Sequence, residues 1–155
     1  MNQPVEGTEL IVLAIDIDAA PSICFECFVA GFDQWWPTLT HSLSRAAATR
    51  CVFEPHEGGR IFETAPDGTE HAWGSVIAFE PGQRVRFSWH PGRDAESAQW
   101  VEVSFMSAGQ GSRVILTHGG WEALGEIASV LRREYVPGWQ HVFGDLFGGY
   151  ARRRH

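Results

Sequence analysis

The sequence predicts an α+β protein in which a curved antiparallel sheet of about seven strands wraps one long carboxyl-terminal helix, with two short helices after the first strand. Two observations carry this. From Trp121 to Arg154, the apolar residues Leu124, Ala128, Leu131, Tyr135, Trp139, Val142, Leu146 and Tyr150 step by three or four and share one helical stripe. Between Arg50 and His118, short alternating runs are separated by turn residues, as in a strand meander. A lone helical stripe needs a partner surface, and one face of the meander is the simplest one available.

Taken in order, Thr8 to Asp18 alternates and is rich in Leu, Ile and Val, which reads as the first strand. Asp18 is placed to cap a helix with Pro21 near its start, running to about Val29 and stopped by Gly31. Phe32 to Trp36 makes one more short helical turn, ended by Pro37. His41 to Thr49 is small and polar, hence loop. Strands follow at Arg50–Glu54, Arg60–Thr64, His71–Phe79, Val85–Trp89, Gln99–Met106 and Ser112–His118, with a looser segment from His90 to Ala98. Within the terminal run, Pro137-Gly138 predicts a kink or break, because proline lacks a donor and crowds the preceding turn.

Hairpin parity assigns the faces, since directly opposed residues share a side of the sheet. Two-residue turns at Pro81-Gly82 and Gly109-Gln110 put Gly74, Val76, Ala78, Val85, Phe87, Trp89, Val101, Val103, Phe105, Val114, Leu116 and His118 on the inner face. The same parity leaves Trp73, Ile77, Phe79 and Trp100 on the outer face, among charged residues. That outer patch suggests a possible homodimer or partner contact.

At 155 residues, 44% apolar and 20% charged, the chain has the size and composition of one globular domain, 1–155. Its net charge is −7 and every one of its 12 basic residues is arginine, which argues against nucleic acid and anionic membranes as partners. Arg152-Arg153-Arg154 reads as an answer to the helix dipole. No apolar run reaches membrane-span length, and Met1 to Glu6 lacks the features of a signal peptide. Three cysteines without a pairing pattern fit a reducing cytoplasm.

Several short patterns follow one another in a definite order. They are Trp35-Trp36-Pro37; Glu54-Pro55-x-x-Gly58-Gly59-Arg60; Asp67-Gly68 with Trp73-Gly74-x-Val76; and Glu80-Pro81-x-x-Arg84-Val85-x-Phe87-x-Trp89. Thr117-His118-x-Gly120-Trp121-Glu122 and Tyr135-x-x-Gly138-Trp139 complete the series. From about Thr8 to Tyr150 this resembles bacterial members of the family named for homology to the activator of heat-shock-protein-90 ATPase. That family lies within the START/Bet v 1-like (SRPBCC) helix-grip superfamily. The resemblance implies an incomplete barrel gripping the terminal helix, with a cavity between them. It implies no particular reaction, because superfamily members bind lipids, hormones and pigments and some cyclise polyketides.

Local chemistry is sparse. Cys24-Phe25-Glu26-Cys27 has a C-x-x-C spacing, but no second pair accompanies it and it lies inside a helix, so packing thiols are the better reading. The seven histidines show no metal-ligand spacing, so no metal or other cofactor is expected. His118-Gly119-Gly120 lacks the G-x-S-x-G elbow that would make it part of a hydrolase. His118 itself, at the end of an inner-face strand, is either satisfied by backbone or able to bond a ligand or move a proton. Arg60, Glu63 and Glu102 read as solvated strand positions more readily than as cavity groups.

The expected activity is therefore binding of a small hydrophobic, aromatic or acyl molecule between helix and sheet, at Trp36, Phe53, Phe62, Trp89, Val103, His118, Trp139 and Phe143. Two alternatives stand beside it. One is a cyclase- or aromatase-like enzyme using His118; the other is a protein-interaction module related to chaperone ATPase activators.

Overall fold

The computed structural model describes residues 9–154. Thr8, the stretch Met1 to Glu6 and His155, on which parts of the sequence reading fall, lie outside the described residues. The elements in order are β1 (Ile11–Ile17), α1 (Pro21–Val29), α2 (Phe32–Trp35), β2 (Arg50–Phe53), β3 (Arg60–Thr64) and β4 (Glu70–Glu80). Then come β5 (Arg84–Trp89), β6 (Gln99–Ala108), β7 (Gly111–Gly119), α3 (Ala128–Trp139) and α4 (Gly148–Arg153). The strands form one antiparallel sheet in the order β1-β7-β6-β5-β4-β3-β2. Sequence neighbours are thus sheet neighbours, except that the chain crosses after β1, which pairs with β7. This is the predicted α+β helix-grip fold.

Register explains the curl. The β6–β7 hairpin pairs Val101 with His118, Val103 with Leu116 and Phe105 with Val114, as parity predicts. The β4–β5 hairpin differs, because Glu80 pairs with Arg84 and the turn holds three residues, not two. Ile77 is then an extra residue between the pairs Val76–Phe87 and Ala78–Arg86. On the other edge of β4, Ile61 pairs with Gly74 but Phe62 with Ala72, which leaves Trp73 as a second extra residue. Each bulge bends the strand and turns the following side chains over. Trp73, Val76 and Phe79, spaced by three, therefore all join the core.

This corrects the facing of β4. Trp73 and Phe79 are inner residues, Ile77 is exposed, and Trp100 lies beneath the Arg86 guanidinium at 4.1 Å. The outer apolar patch expected to serve a homodimer is reduced to Ile77 and a covered Trp100. Gly74 has no room for a side chain, since a Cβ there would fall 1.8 Å from the Ser88 carbonyl oxygen.

Two helix expectations are also corrected. Asp18 does not cap α1; the residue before the helix is Ala20, without a side-chain cap, and Pro21 takes the first position, where no donor is needed. Pro137 does not break the terminal helix. A 3-10 segment, Trp121–Ile127, interrupted by a kink at Gly125 (φ 60°, ψ −129°), leads into α3, which runs through Pro137 to Trp139 and then widens into a π-helical stretch, Gln140–Phe147, before α4. The Gln140 amide reaches the carbonyls of both Val136 and Pro137, so the irregularity is absorbed by a wider turn rather than by a break. The buried stripe becomes Trp139, Phe143, Phe147 and Ala151.

The helix is tied to the open edge of the sheet. Arg132 donates to the carbonyls of Glu9 and Leu10 (2.6 and 3.2 Å), and Arg152 to that of Asp16 (2.9 Å). Those guanidiniums occupy backbone acceptors that would otherwise invite another strand.

The space between sheet and helix is filled at one end only. There α1 and α2 insert Phe25, Phe28, Phe32 and Trp35 against Phe53, Phe105 and Phe147, with Phe28 and Trp35 each 5.3 Å from the Phe147 ring. Towards the start of α3 no such wedge intervenes.

Candidate functional site

A cavity of about 410 Å³ opens at this unfilled end. One wall is α3, presenting Leu131, Tyr135, Gly138 and Trp139, continued by Val142. The sheet supplies Trp73 from β4 and Trp89 from β5, then Pro91 and Arg93 beyond β5. The third wall is the chain after α2: Trp36, Thr40, His41, Ser42, Leu43 and Arg45. Glu134 stands exposed on the helix side.

Four tryptophans, 36, 73, 89 and 139, form the floor. Trp36 lies 5.2 Å from Trp73, 5.7 Å from Trp89 and 6.0 Å from Trp139, centroid to centroid, and Trp89 lies 5.8 Å from both Trp73 and Trp139. Every indole N–H is already used within the protein. Trp36 donates to the His41 carbonyl (2.8 Å), Trp73 to Glu63 Oε1 (2.8 Å), Trp89 to the Tyr135 hydroxyl (3.1 Å) and Trp139 to His118 Nδ1 (2.9 Å). The indoles are thereby locked in orientation and offer the cavity carbon surface alone. The Tyr135 oxygen accepts from Trp89, so the hydroxyl keeps its own proton for donation.

Glu63 is fully buried, contrary to the solvated position expected of it. Its two oxygens accept from the amides of Leu43 (2.6 Å) and Ser44 (2.9 Å), the Ser44 hydroxyl (2.7 Å) and Trp73. Burial alone would raise its pKa. The hydrogen bonds from residues 43 and 44 and from Trp73 outweigh that and hold it below the ordinary carboxylate value. One carboxylate thus pins the loop that forms the third wall to the indole beneath it.

His118 is fully buried behind the cavity wall. Its ring lies 4.2 Å from that of Trp121 and 5.0 Å from that of Tyr135, and its Nε2 has no hydrogen-bond partner among the described residues. Burial, and then the charge of Arg93, lower its pKa to about 3. It is a neutral acceptor that fixes Trp139, with no carboxylate or hydroxyl bonded to it. That geometry does not suit proton transfer to a guest.

The remaining residues named from the sequence divide sharply. Trp36, Trp89 and Trp139 line the cavity together. Phe53, Val103 and Phe143 are buried in the filled part of the core. Phe62 points the other way, under the Arg60 guanidinium at 4.2 Å, because it shares a face with Val52 and not with Ile61. Trp73, Tyr135 and Arg93 escaped the sequence reading as site residues. Tyr135 was visible on the helical stripe, Trp73 was hidden by the bulge, and Arg93 sits in a segment without periodicity.

The three cysteines are buried and unpaired, and burial raises each thiol's pKa. Among the described residues no group of three or more His, Cys, Asp or Glu side chains comes together to hold a metal ion. No helix among them is long and apolar enough to cross a membrane.

A curled sheet gripping a terminal helix over an aromatic cavity defines a Bet v 1-like helix-grip protein. Residues 18–150 match the family model described as Activator of Hsp90 ATPase homolog 1-like protein, and the chain belongs to that family. Protein MLL2253 from Mesorhizobium loti is similar in structure, with a TM-score of 0.69 at 14% identity over 95% of this chain and 99% of that one. The AHSA1-like protein from Aeromonas hydrophila gives 0.64 at 17% identity over 94% and 93%. The anthrahydroquino-gamma-pyrone synthase Txn09 gives 0.60 at 26% identity over 94% and 99%. No curated protein sequence matches the chain.

Proposed function

We propose that the protein binds a small hydrophobic molecule, aromatic or acyl, in the cavity between α3, the loop after α2 and the inner face of β4 and β5. The observation that carries this reading is the floor of four indoles whose N–H groups are all consumed elsewhere. Such a surface gains from covering by apolar atoms, by roughly 25 cal/mol per Å² removed from water, and offers polar guests little. The volume falls within the range of small-molecule sites, roughly 300–1,000 Å³. The Tyr135 hydroxyl is the polar group best presented to a carbonyl or phenol on the guest.

A second reading, a cyclase-like enzyme, draws on the likeness to a synthase named for a fused aromatic product. It supports an aromatic guest. It does not support His118 as the acid or base, since that ring is sealed behind Tyr135 and Trp139. The three unpaired thiols support a reducing, cytoplasmic setting.

Titration with N-phenyl-1-naphthylamine, followed by quenching of tryptophan fluorescence, tests the reading. Saturable quenching at micromolar probe, weakened at least tenfold in Trp36→Ala, is expected. Absence of quenching up to the probe's solubility would refute a binding cavity here.

A further inference from the structure

Arg93 is mounted as a fixed cation. The four residues from His90 to Arg93 form a tight turn in which the Arg93 amide donates to the His90 carbonyl (2.9 Å) and Gly92 takes φ +75°. His90 Nδ1 donates back to the Arg93 carbonyl (3.0 Å), closing the turn a second time. At the far end of the side chain, Nη2 donates to Gln99 Oε1 (3.1 Å). Gln99 is itself buried, with its amide nitrogen donating to the Ser97 carbonyl (2.7 Å), so its oxygen is held towards the arginine.

That anchor is neutral. Arg93 makes no ion pair among the described residues, and its Nε is buried without an acceptor. A buried guanidinium donor left unpaired costs free energy unless something supplies an acceptor. The other charged groups facing the cavity, Arg45 and Glu134, are both exposed and offset each other, while burial favours neutral His41. In a chain of net charge −7, Arg93 is thus the charge on the inner part of the cavity lining, while the Glu63 carboxylate stands behind the wall with its oxygens taken by four donors.

Resting on the reading of this cavity as a ligand site, we infer that its guest is an acid: an aromatic or acyl body laid on the tryptophan floor and a carboxylate taken by Arg93. With Nε enclosed and one Nη2 proton on Gln99, the guanidinium keeps an Nη1 and an Nη2 N–H for a carboxylate, and the apolar surroundings strengthen that pairing relative to water. The Tyr135 hydroxyl stands on the same cavity wall as a neutral second donor.

The test compares 2-naphthoate with its neutral isostere 2-naphthamide, both read by tryptophan quenching. Naphthoate is expected to bind at least tenfold more tightly, and 0.5 M NaCl to weaken naphthoate alone. Arg93→Gln is expected to bring the two within about twofold, by loss of naphthoate affinity, while Arg133→Gln, at an exposed arginine outside the cavity lining, leaves their ratio in place. Should naphthamide bind the native protein as well as naphthoate, the acid is overturned while the apolar cavity stands. If neither binds, the cavity reading fails and takes this inference with it. If the ratio collapses in Arg45→Gln and persists in Arg93→Gln, Arg93 is not the acceptor of the charge. Should Arg93→Gln fail to fold, the native ratio and its salt dependence still decide.

Discussion

Trp73 and Glu63 meet inside the core, the indole N–H 2.8 Å from a carboxylate oxygen that is wholly buried. The same carboxylate holds the amides of Leu43 and Ser44 on the opposite wall of the cavity. A buried carboxylate is costly unless its lone pairs are taken, and here four donors take them. Glu63→Gln keeps the shape but turns an amide NH2 towards at least one N–H donor. A loss of about 2–3 kcal/mol in urea unfolding is expected, together with faster amide exchange at Leu43 and Ser44. Because the folded-state pKa is lowered, this stabilisation is full above the unfolded carboxylate value and disappears as pH falls through the folded one. Unchanged exchange at residues 43 and 44 in the variant would contradict the clamp.

His118 gives a second and separate pH window. Its folded pKa of about 3 lies well below the ordinary histidine value of 6.5, so folding excludes the proton that the unfolded chain takes up. Stability is unaffected above about pH 6.5 and declines below it, with a limiting slope of about 1.4 kcal/mol per pH unit from this group. Unfolding free energy is expected to fall by about 2 kcal/mol from this group between pH 7 and pH 5, where carboxylates contribute little, and to approach the limiting slope only towards pH 5. NMR of the imidazole should show no titration above pH 4. A His118 resonance titrating near 6.5 would mean the ring is reached by solvent, and would reopen its use in proton transfer.

How much of this was legible beforehand depends on whether one residue type or a backbone detail decides the outcome. The β6–β7 pairing followed from alternation joined to a two-residue turn at Gly109-Gln110, which together set Val101, Val103 and Phe105 opposite His118, Leu116 and Val114. The helix stripe likewise gave Tyr135 and Trp139. Parity puts Trp73 on the outer face, and the two unpaired residues in β4 reset the count that parity assumes unbroken. Glu63 reads as a solvated strand residue from sequence because its four donors come from Leu43, Ser44 and Trp73, at least ten positions away, and no local pattern announces them. Arg93 depends on a turn and on Gln99, both in a stretch without periodic signal. The family patterns narrowed the fold, yet were silent on which end of the sheet would stay unfilled.

Gly74 marks the price of the bulges in β4. A methyl group there would sit 1.8 Å from the Ser88 carbonyl oxygen and 2.7 Å from its carbon, both backbone atoms that β5 cannot withdraw without losing its pairing. Gly74→Ala is expected to destabilise by about 3 kcal/mol or more, at the level of core overpacking. Gly68→Ala is the control, since its φ of +91° carries strain but a Cβ there meets nothing. It should cost about 1 kcal/mol. Thermal or urea unfolding of the pair separates steric clash from backbone strain; equal losses would argue against the close approach of β4 to β5.

Gly138 lines the cavity from α3, and a Cβ added there has no atom within 4 Å. The helix therefore tolerates a side chain that the cavity must then accommodate. Gly138→Ala should stabilise the protein by about 0.5–1 kcal/mol, because alanine loses less backbone freedom in a helix than glycine. Gly138→Leu goes further, adding an isobutyl group at a position that lines the cavity where the guest is proposed to lie. Its stability is expected to match or exceed that of the native protein, while N-phenyl-1-naphthylamine binding falls at least tenfold. This separation distinguishes a binding cavity from an incidental packing gap. A ligand site loses affinity when filled without losing stability, whereas full probe affinity in a well-folded Gly138→Leu protein would place the probe elsewhere.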